Sequence, residues 1–289
     1  MILGESARWA ERRAADWGFG AELEHRSRDE RRACVISEHL DADGVAELVL
    51  HHPPVNALTL ADTAALATRV RSYAQDARVR AVVLRSEGKG FCAGGDVKET
   101  QALPGFEGIL GAAHAALDLT SAIDECAVPV IAAVHGYCVG LGVLLTGVCD
   151  IVLAAPGTPF VLPEVDNGAA SGIIHAIGLM PEKRLRAALY TAEPVMAEEL
   201  HRFGTVLRLV PADGLPAAAH AIARTIAGKR PSVIRALKSA TDGSLDRGLR
   251  ARYRQELSCT YELNLAGDAV ELRERFVAGG SDVQGDPTS

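Results

Sequence analysis

The chain has 289 residues, with 30 Lys and Arg against 37 Asp and Glu, a formal net charge of -7 and 48% hydrophobic residues. An acidic balance argues against a nucleic-acid-binding face, which needs a basic surface, and the apolar content excludes general disorder. The cysteines (Cys34, Cys92, Cys126, Cys138, Cys149, Cys259) form no C-x-x-C pair and no cluster with histidine. That pattern predicts buried free thiols, a reducing compartment and no metal site. No apolar run is long enough to cross a bilayer, and no signal core follows Met1, so a cytoplasmic protein without a membrane partner is expected.

Residues 1–32, rich in charge and alanine, read as an N-terminal extension. Strand signals begin at ACVISEHL (33–40); DADG is a turn and VAELVLHH (45–52) the returning strand of a hairpin. Pro53 and Pro54 end it, since neither can donate to a sheet ladder. Apolar spacing predicts a helix over 60–75, VRAVVLRSE (79–87) a buried strand, and 106–126 another helix. VPVIAAVHG (128–136) and DIVLAAP (150–156) read as strands around a helical 142–148, with TPFVLPEV (158–165) extended. Beyond Asp166 the pattern is helical (171–179, 181–190, 196–203, 214–228, 231–239, 245–267), interrupted by a strand at 204–210. The alternation predicts an α/β core over 33–210 and a helical C-terminal region over 211–289.

Two glycine-rich turns, at 88–95 and 136–142, each follow an apolar strand. Neither has the spacing of a phosphate-binding P-loop or a dinucleotide fingerprint. Such turns close a sheet edge tightly. They also let backbone amides converge on one oxygen, which stabilises an enolate or a tetrahedral oxyanion.

The ordered segments PPVNALT (53–59), GKGFCAGGDVKE (88–99), VPVIAAVHGYCVGLG (128–142) and CDIVLAAPGTPFVLPEVDNG (149–168), with the helical tail, resemble the crotonase, or enoyl-CoA hydratase/isomerase, superfamily over about 33–280. The resemblance implies a crotonase-like spiral of ββα units in two sheets, with a C-terminal helical region that forms trimers, often paired into hexamers. It implies an acyl-CoA substrate, with coenzyme A arriving as part of the thioester and no permanently bound cofactor. The oxyanion amides fall at Gly95 and at Leu141, where the family commonly has glycine. Cys92, Ala93 and Gly94 fall on the loop that runs beside coenzyme A. Lys98 and Lys89 are candidates for its phosphates, although isolated surface lysines are common. Cys92 has no neighbouring base and reads better as a packed thiol than as a nucleophile.

Hydratases of the family use two glutamates to activate water. Here the first position is Leu144, which carries no proton, and the second is Glu164. The resemblance makes Glu164 the principal acid/base. Without it, a carboxylate after Pro163 is a surface turn residue. Asp166 is a second candidate carboxylate; Asp166 and Asn167 read equally as caps of a helix starting near Ala169. Family members acting on dienoyl-CoA have an aspartate eight positions after the glutamate, where this chain has Gly172. His114 and Asp118 either line the acyl pocket or face solvent, and His135 and His175 serve packing or support. The surviving parts fit an enoyl-CoA isomerase/hydratase-type enzyme with one glutamate. Two alternatives stand beside it: a CoA-thioester or cyclic β-keto-acyl-CoA hydrolase that cleaves a C–C bond, and a non-catalytic acyl-CoA-binding subunit.

Overall fold

The computed structural model describes residues 36–245 and 248–277; the extension expected over 1–32 lies outside them. The elements, in chain order, are β1 (Ile36–Leu40), β2 (Val45–Leu50), β3 (Ala57–Leu58), α1 (Leu60–Ser72), β4 (Ala81–Ser86), β5 (Gly94–Gly95), α2 (Val97–Ala102), α3 (Glu107–Asp124), β6 (Val130–Val134), β7 (Cys138–Val139), α4 (Leu141–Val148), β8 (Ile151–Ala154) and β9 (Pro159–Val161). A 3-10 turn (Glu164–Asn167) leads to α5 (Ile173–Ala176), α6 (Glu182–Thr191), β10 (Val195–Met196), α7 (Ala197–Phe203) and β11 (Val206–Leu209). Then come α8 (Leu215–Ala227), α9 (Pro231–Ser244), α10 (Leu249–Ala266) and α11 (Asp268–Val277).

The expected hairpin is present: β1 and β2 pair antiparallel, with Ile36 opposite Leu50. The Asp41 carboxylate closes its turn by accepting from the amides of Asp43 and Val45. One six-stranded sheet runs β1-β2-β4-β6-β8-β11, parallel in every pairing after the hairpin. Parallel strands need crossovers, and each crossover here has the same form. A strand of the large sheet is followed by a short strand of a second layer, then by a helix. This gives β2-β3-α1, β4-β5-α2, β6-β7-α4 and β8-β9 with its 3-10 turn and α5. The second layer consists of the β3-β5 pair and the three-stranded sheet β10-β9-β7. The spiral of ββα units is therefore the observed architecture.

The large sheet is buried on both faces, which accounts for unbroken apolar runs such as AVVL and VIAAV. Alternate residues serve different cores. Val82, Leu84 and Ala132 join the large cluster under α1, α3 and α10, whereas Ala81, Val83 and Ile131 pack with Leu215, Ala219, Ala223 and Ala227 of α8. The helical region is thus fastened to the sheet from one side by α8 and from the other by Leu249, Tyr253 and Leu257 of α10. The helix expected over 245–267 starts later, at Leu249, and stops where Gly267 takes a left-handed φ of 97°. That reversal allows α11 to fold back, and it was not anticipated.

Candidate active site

The two glycine turns meet because one buried asparagine holds the first in place. Asn56, at φ 55°, donates from Nδ2 to the carbonyls of Glu87 (2.7 Å) and Gly90 (2.8 Å), and its Oδ1 accepts from the His52 amide (2.6 Å). Asparagine tolerates this left-handed backbone better than most residues. His135 braces the same loop through Nε2, 3.0 Å from the Gly88 carbonyl. Beyond the loop, β5 pairs with β3 so that Gly94 lies opposite Ala57 and Gly95 opposite Leu58.

The second turn approaches from β7. Gly140 adopts φ 50° and ψ -116°, a conformation suited to glycine, and α4 starts immediately after it at Leu141. The Leu141 amide is therefore at the helix N-terminus, outside the intrahelical ladder and at the positive end of the helix dipole. A Cβ placed on Gly94 would lie 3.9 Å from that amide nitrogen and 3.5 Å from the Val139 carbonyl oxygen. The Leu141 side chain is partly buried against the main core.

Glu164 completes the convergence. A Cβ on Gly140 would sit 3.4 Å from Glu164 Oε1 and 3.8 Å from Gly94 Cα. Three separate segments, 94–95, 140–141 and 164, therefore meet around one carboxyl group. The residue is half-buried, but its Oε2 is shielded from solvent and has no hydrogen-bond partner. Burial raises the Glu164 pKa to about 8; its own amide opposes the shift, and the nearby charges of Glu256 and Asp166 add to it. A carboxyl group poised near neutrality can take and return a proton.

The position that lacks a carboxylate is filled by packing. Leu144 is buried in the main core, and a Cβ on Gly172 would lie 3.1 Å from Leu144 Cδ1 and 3.3 Å from Leu162 Cδ2. Asp166 is in the same 3-10 turn as Glu164, with its carboxyl pKa raised by burial. The expected cap does not form. The helix after this turn begins at Ile173, with Gly172 at its N-cap, and Asn167 donates back to the Pro163 carbonyl instead (3.3 Å). The Asn167 amide nitrogen is used within its own turn, and Asp166 lies too far before Gly172 in the chain to cap that helix.

Cys92 is fully buried, with its Sγ 3.4 Å from the Gly94 amide, and burial pushes its thiol up to about 12. It is a packed thiol rather than an ionised nucleophile at neutral pH. Ala93 joins a small cluster of Val55, Tyr137, Val139 and Val161 behind the loop. Lys98 is exposed on α2, while Lys89 borders a surface hollow of about 510 Å³ with His51, Pro53, Pro54 and Asn56. His114 faces solvent, and Asp118 is held on the outside of α3 by Arg71 (2.6 Å), so neither enters the site. His175 is fully buried, its ring edge-on to Tyr253 at 4.5 Å between centroids.

Sequence reading missed two groups that α10 brings to this place. Glu256 accepts from the amides of Ile173 (Oε2, 3.0 Å) and Ile174 (Oε1, 2.7 Å), capping α5 from a distant part of the chain. Tyr253, buried between them and the core, is hydrogen-bonded by the Ser171 side chain. Nothing local distinguishes Glu256 from the other acidic residues of an amphipathic helix, so no motif could have pointed to it. Among the described residues, no group of His, Cys, Asp and Glu is arranged to hold a metal ion, and no helix is long and apolar enough to cross a membrane.

Comparison with known proteins fits this arrangement. The enoyl-CoA hydratase/isomerase family model matches residues 41–277. The chain belongs to that family. A family member from Xanthobacter autotrophicus Py2, an enoyl-CoA hydratase/isomerase of solved structure, superposes with a TM-score of 0.78 at 27% identity, covering 86% of this chain and 94% of that one. Two curated relatives share a name. The (7aS)-7a-methyl-1,5-dioxo-2,3,5,6,7,7a-hexahydro-1H-indene-carboxyl-CoA hydrolase of Rhodococcus jostii is 39% identical over 245 residues, 85% of this chain and 95% of that protein. Its counterpart from Mycobacterium tuberculosis is 42% identical over 234 residues, 81% and 95% respectively. Both names are those of carboxyl-CoA hydrolases.

Proposed function

We propose that this family member hydrolyses a carbon–carbon bond in a cyclic β-keto acyl-CoA, leaving the thioester intact. One observation carries the proposal: a single proton-exchanging carboxyl, Glu164, lies beside the Gly94 and Gly140–Leu141 backbone, while the position of a hydratase's other glutamate is the packed Leu144. The hydrolase relatives favour this reading over isomerisation.

The chemistry balances with these parts. Glu164 takes a proton from water as the oxygen adds to the ring ketone carbon. The ring bond to the thioester α-carbon then breaks, and its electron pair passes into the thioester as an enolate. The amides of Gly95 and Leu141 hold the enolate oxygen, and Glu164 returns its proton to the α-carbon. Net, one water is added and one carboxylic acid is formed. Coenzyme A lies along the Cys92–Gly95 loop in this proposal, with Lys98 near its phosphates. A homotrimer or hexamer belongs to the same proposal, supported by exposed apolar side chains on the C-terminal helices such as Leu237 and Leu265.

The test is incubation of the purified protein with 2-oxocyclohexane-1-carboxyl-CoA, followed by mass spectrometry and NMR. A product heavier by one water, with the thioester retained and the ring open, is expected. Conversion of 3-enoyl-CoA to 2-enoyl-CoA at unchanged mass, with the cyclic ester untouched, would return the assignment to an isomerase.

A further inference from the structure

One buried arginine beside the site has no acid to pair with. Arg273, on α11, is only 9% exposed. Its Nε donates to Gln101 Oε1 on α2 (3.2 Å), and its Nη2 donates to Asn264 Oδ1 near the end of α10 (2.7 Å). Nη1 is shielded from solvent and has no acceptor among the described residues. Both partners are neutral amides, which orient a guanidinium without cancelling its charge. Arg85 and Arg184, also shielded, are held instead by glutamates, Glu47 at 2.6 Å and Glu199 at 2.8 Å. Burial lowers the Arg273 pKa, and no neighbouring acid restores it. A guanidinium nevertheless keeps its proton at neutral pH, and a buried charge without a counter-ion is costly.

The surrounding elements tie this group to the site. α11 touches both the 3-10 turn that carries Glu164 and α2, which begins just after Gly95. Ala269 packs so closely on the end of that turn that a Cβ on Gly168 would collide with the Ala269 backbone. Arg273 lies one helical turn further along the same face of α11. The guanidinium thus stands where α2, α10 and α11 meet, next to the turn that holds the base.

Opening a β-keto ring develops negative charge on two oxygens. The Gly95 and Leu141 amides serve the thioester oxygen. The ring ketone oxygen takes up charge when water adds, and it ends as one oxygen of the new carboxylate. The two amides leave it unserved. We propose that Arg273 is the receptor for this second oxygen, a specificity-determining residue that holds the ring ketone and then the carboxylate formed from it. The inference rests on the hydrolase reading above. A guanidinium with an unused N–H edge matches a carboxylate in both shape and charge.

The experiment compares two acyl-CoA esters by calorimetry, in wild type and Arg273→Gln. One is 6-carboxyhexanoyl-CoA, the product expected from 2-oxocyclohexane-1-carboxyl-CoA. The other is heptanoyl-CoA, the same chain ending in a methyl group. Wild type is expected to bind the carboxylated ester about tenfold more tightly or better, and Arg273→Gln to bring that ratio close to one. A wild-type ratio near one overturns the proposal, as does a ratio that Arg273→Gln leaves unchanged. If the variant does not fold, a crystal structure of wild type with 6-carboxyhexanoyl-CoA decides. Its terminal carboxylate within hydrogen-bond distance of Nη1 supports the proposal, and any other position overturns it. The ring-opening assay on wild type keeps the two readings apart. An Arg273-dependent preference without ring opening removes the hydrolase reading and leaves Arg273 a carboxylate receptor. Ring opening without that preference does the reverse.

Discussion

The two walls of the cleft are built on different principles. One is backbone: the glycine turns at 94–95 and 140–141 bring amides together, and their glycines are spaced along two neighbouring ββα units. The other is side chain: Glu164 stands on a 3-10 turn, and α10, far later in the chain, holds the next segment by Glu256 on the Ile173 and Ile174 amides and by Tyr253 against His175. The backbone wall tolerates Leu141 because a leucine still has its N–H. On the side-chain wall the proton-exchanging group is the side chain itself, so exchanging Glu164 removes it. The contrast teaches that a part built from backbone survives a side-chain exchange, whereas a part built from side chains depends on which residues distant elements bring to one place.

Replacing Glu164 is the hardest test of the side-chain wall. Glu164→Gln is expected to lower kcat by about 10²–10⁴-fold, with acyl-CoA binding measured by calorimetry preserved. Turnover close to wild type would remove Glu164 from its assigned role. The backbone wall is probed by Gly136→Ala. The added Cβ would lie 2.0 Å from the Lys89 carbonyl oxygen at a φ of 69°, where the neighbour is backbone and cannot give way. A loss of about 3 kcal/mol or more in denaturant unfolding is expected.

A smaller effect follows from the proton on Glu164. Its pKa in the folded state, about 8, lies above the unfolded value near 4.5, so the folded state binds the extra proton between those limits. Stability contributed by this group is fully present below pH 4.5 and declines as pH rises through 8, by at most about 1.4 kcal/mol per pH unit. Glu164→Gln is therefore expected to melt higher than wild type at pH 8.5 and close to it at pH 5. In wild type, kcat/KM should climb through the same pH as the base ionises. The smallest change expected is Leu141→Gly, which keeps the amide and frees the helix start; it should cost about 1 kcal/mol of stability and alter kcat only several-fold. A collapse of kcat would mean that the leucine side chain, rather than its N–H, shapes the site.

Much of this was legible along the chain for a definite reason. The strands at 79–87, 128–136 and 150–156 are buried on both faces and so announce themselves as apolar runs, trimmed by a few residues in the structure. Glycines at 94, 140 and 172 mark backbone conformations that other residues resist. Asn56 is one residue of a motif in the sequence; two of its three side-chain hydrogen bonds reach residues more than thirty positions away, which no local pattern shows. Of the two readings open for Asp166 and Asn167, capping a nearby helix is the one that local turn geometry overrules.

What the sequence determined alone is therefore the α/β alternation, the two glycine-rich turns and the identities of Glu164 and Leu144; the ββα spiral and the roles of those residues came from the family resemblance. The first group are local properties: periodicity, glycine conformational freedom and residue identity. The tertiary structure alone decided that His114 and Asp118 stay outside, that Cys92 is sealed, and that α10 holds the start of α5 through Glu256 and packs Tyr253 against His175. Those outcomes depend on which faces of distant elements pack together, and on the desolvation and charge proximity that the packing creates.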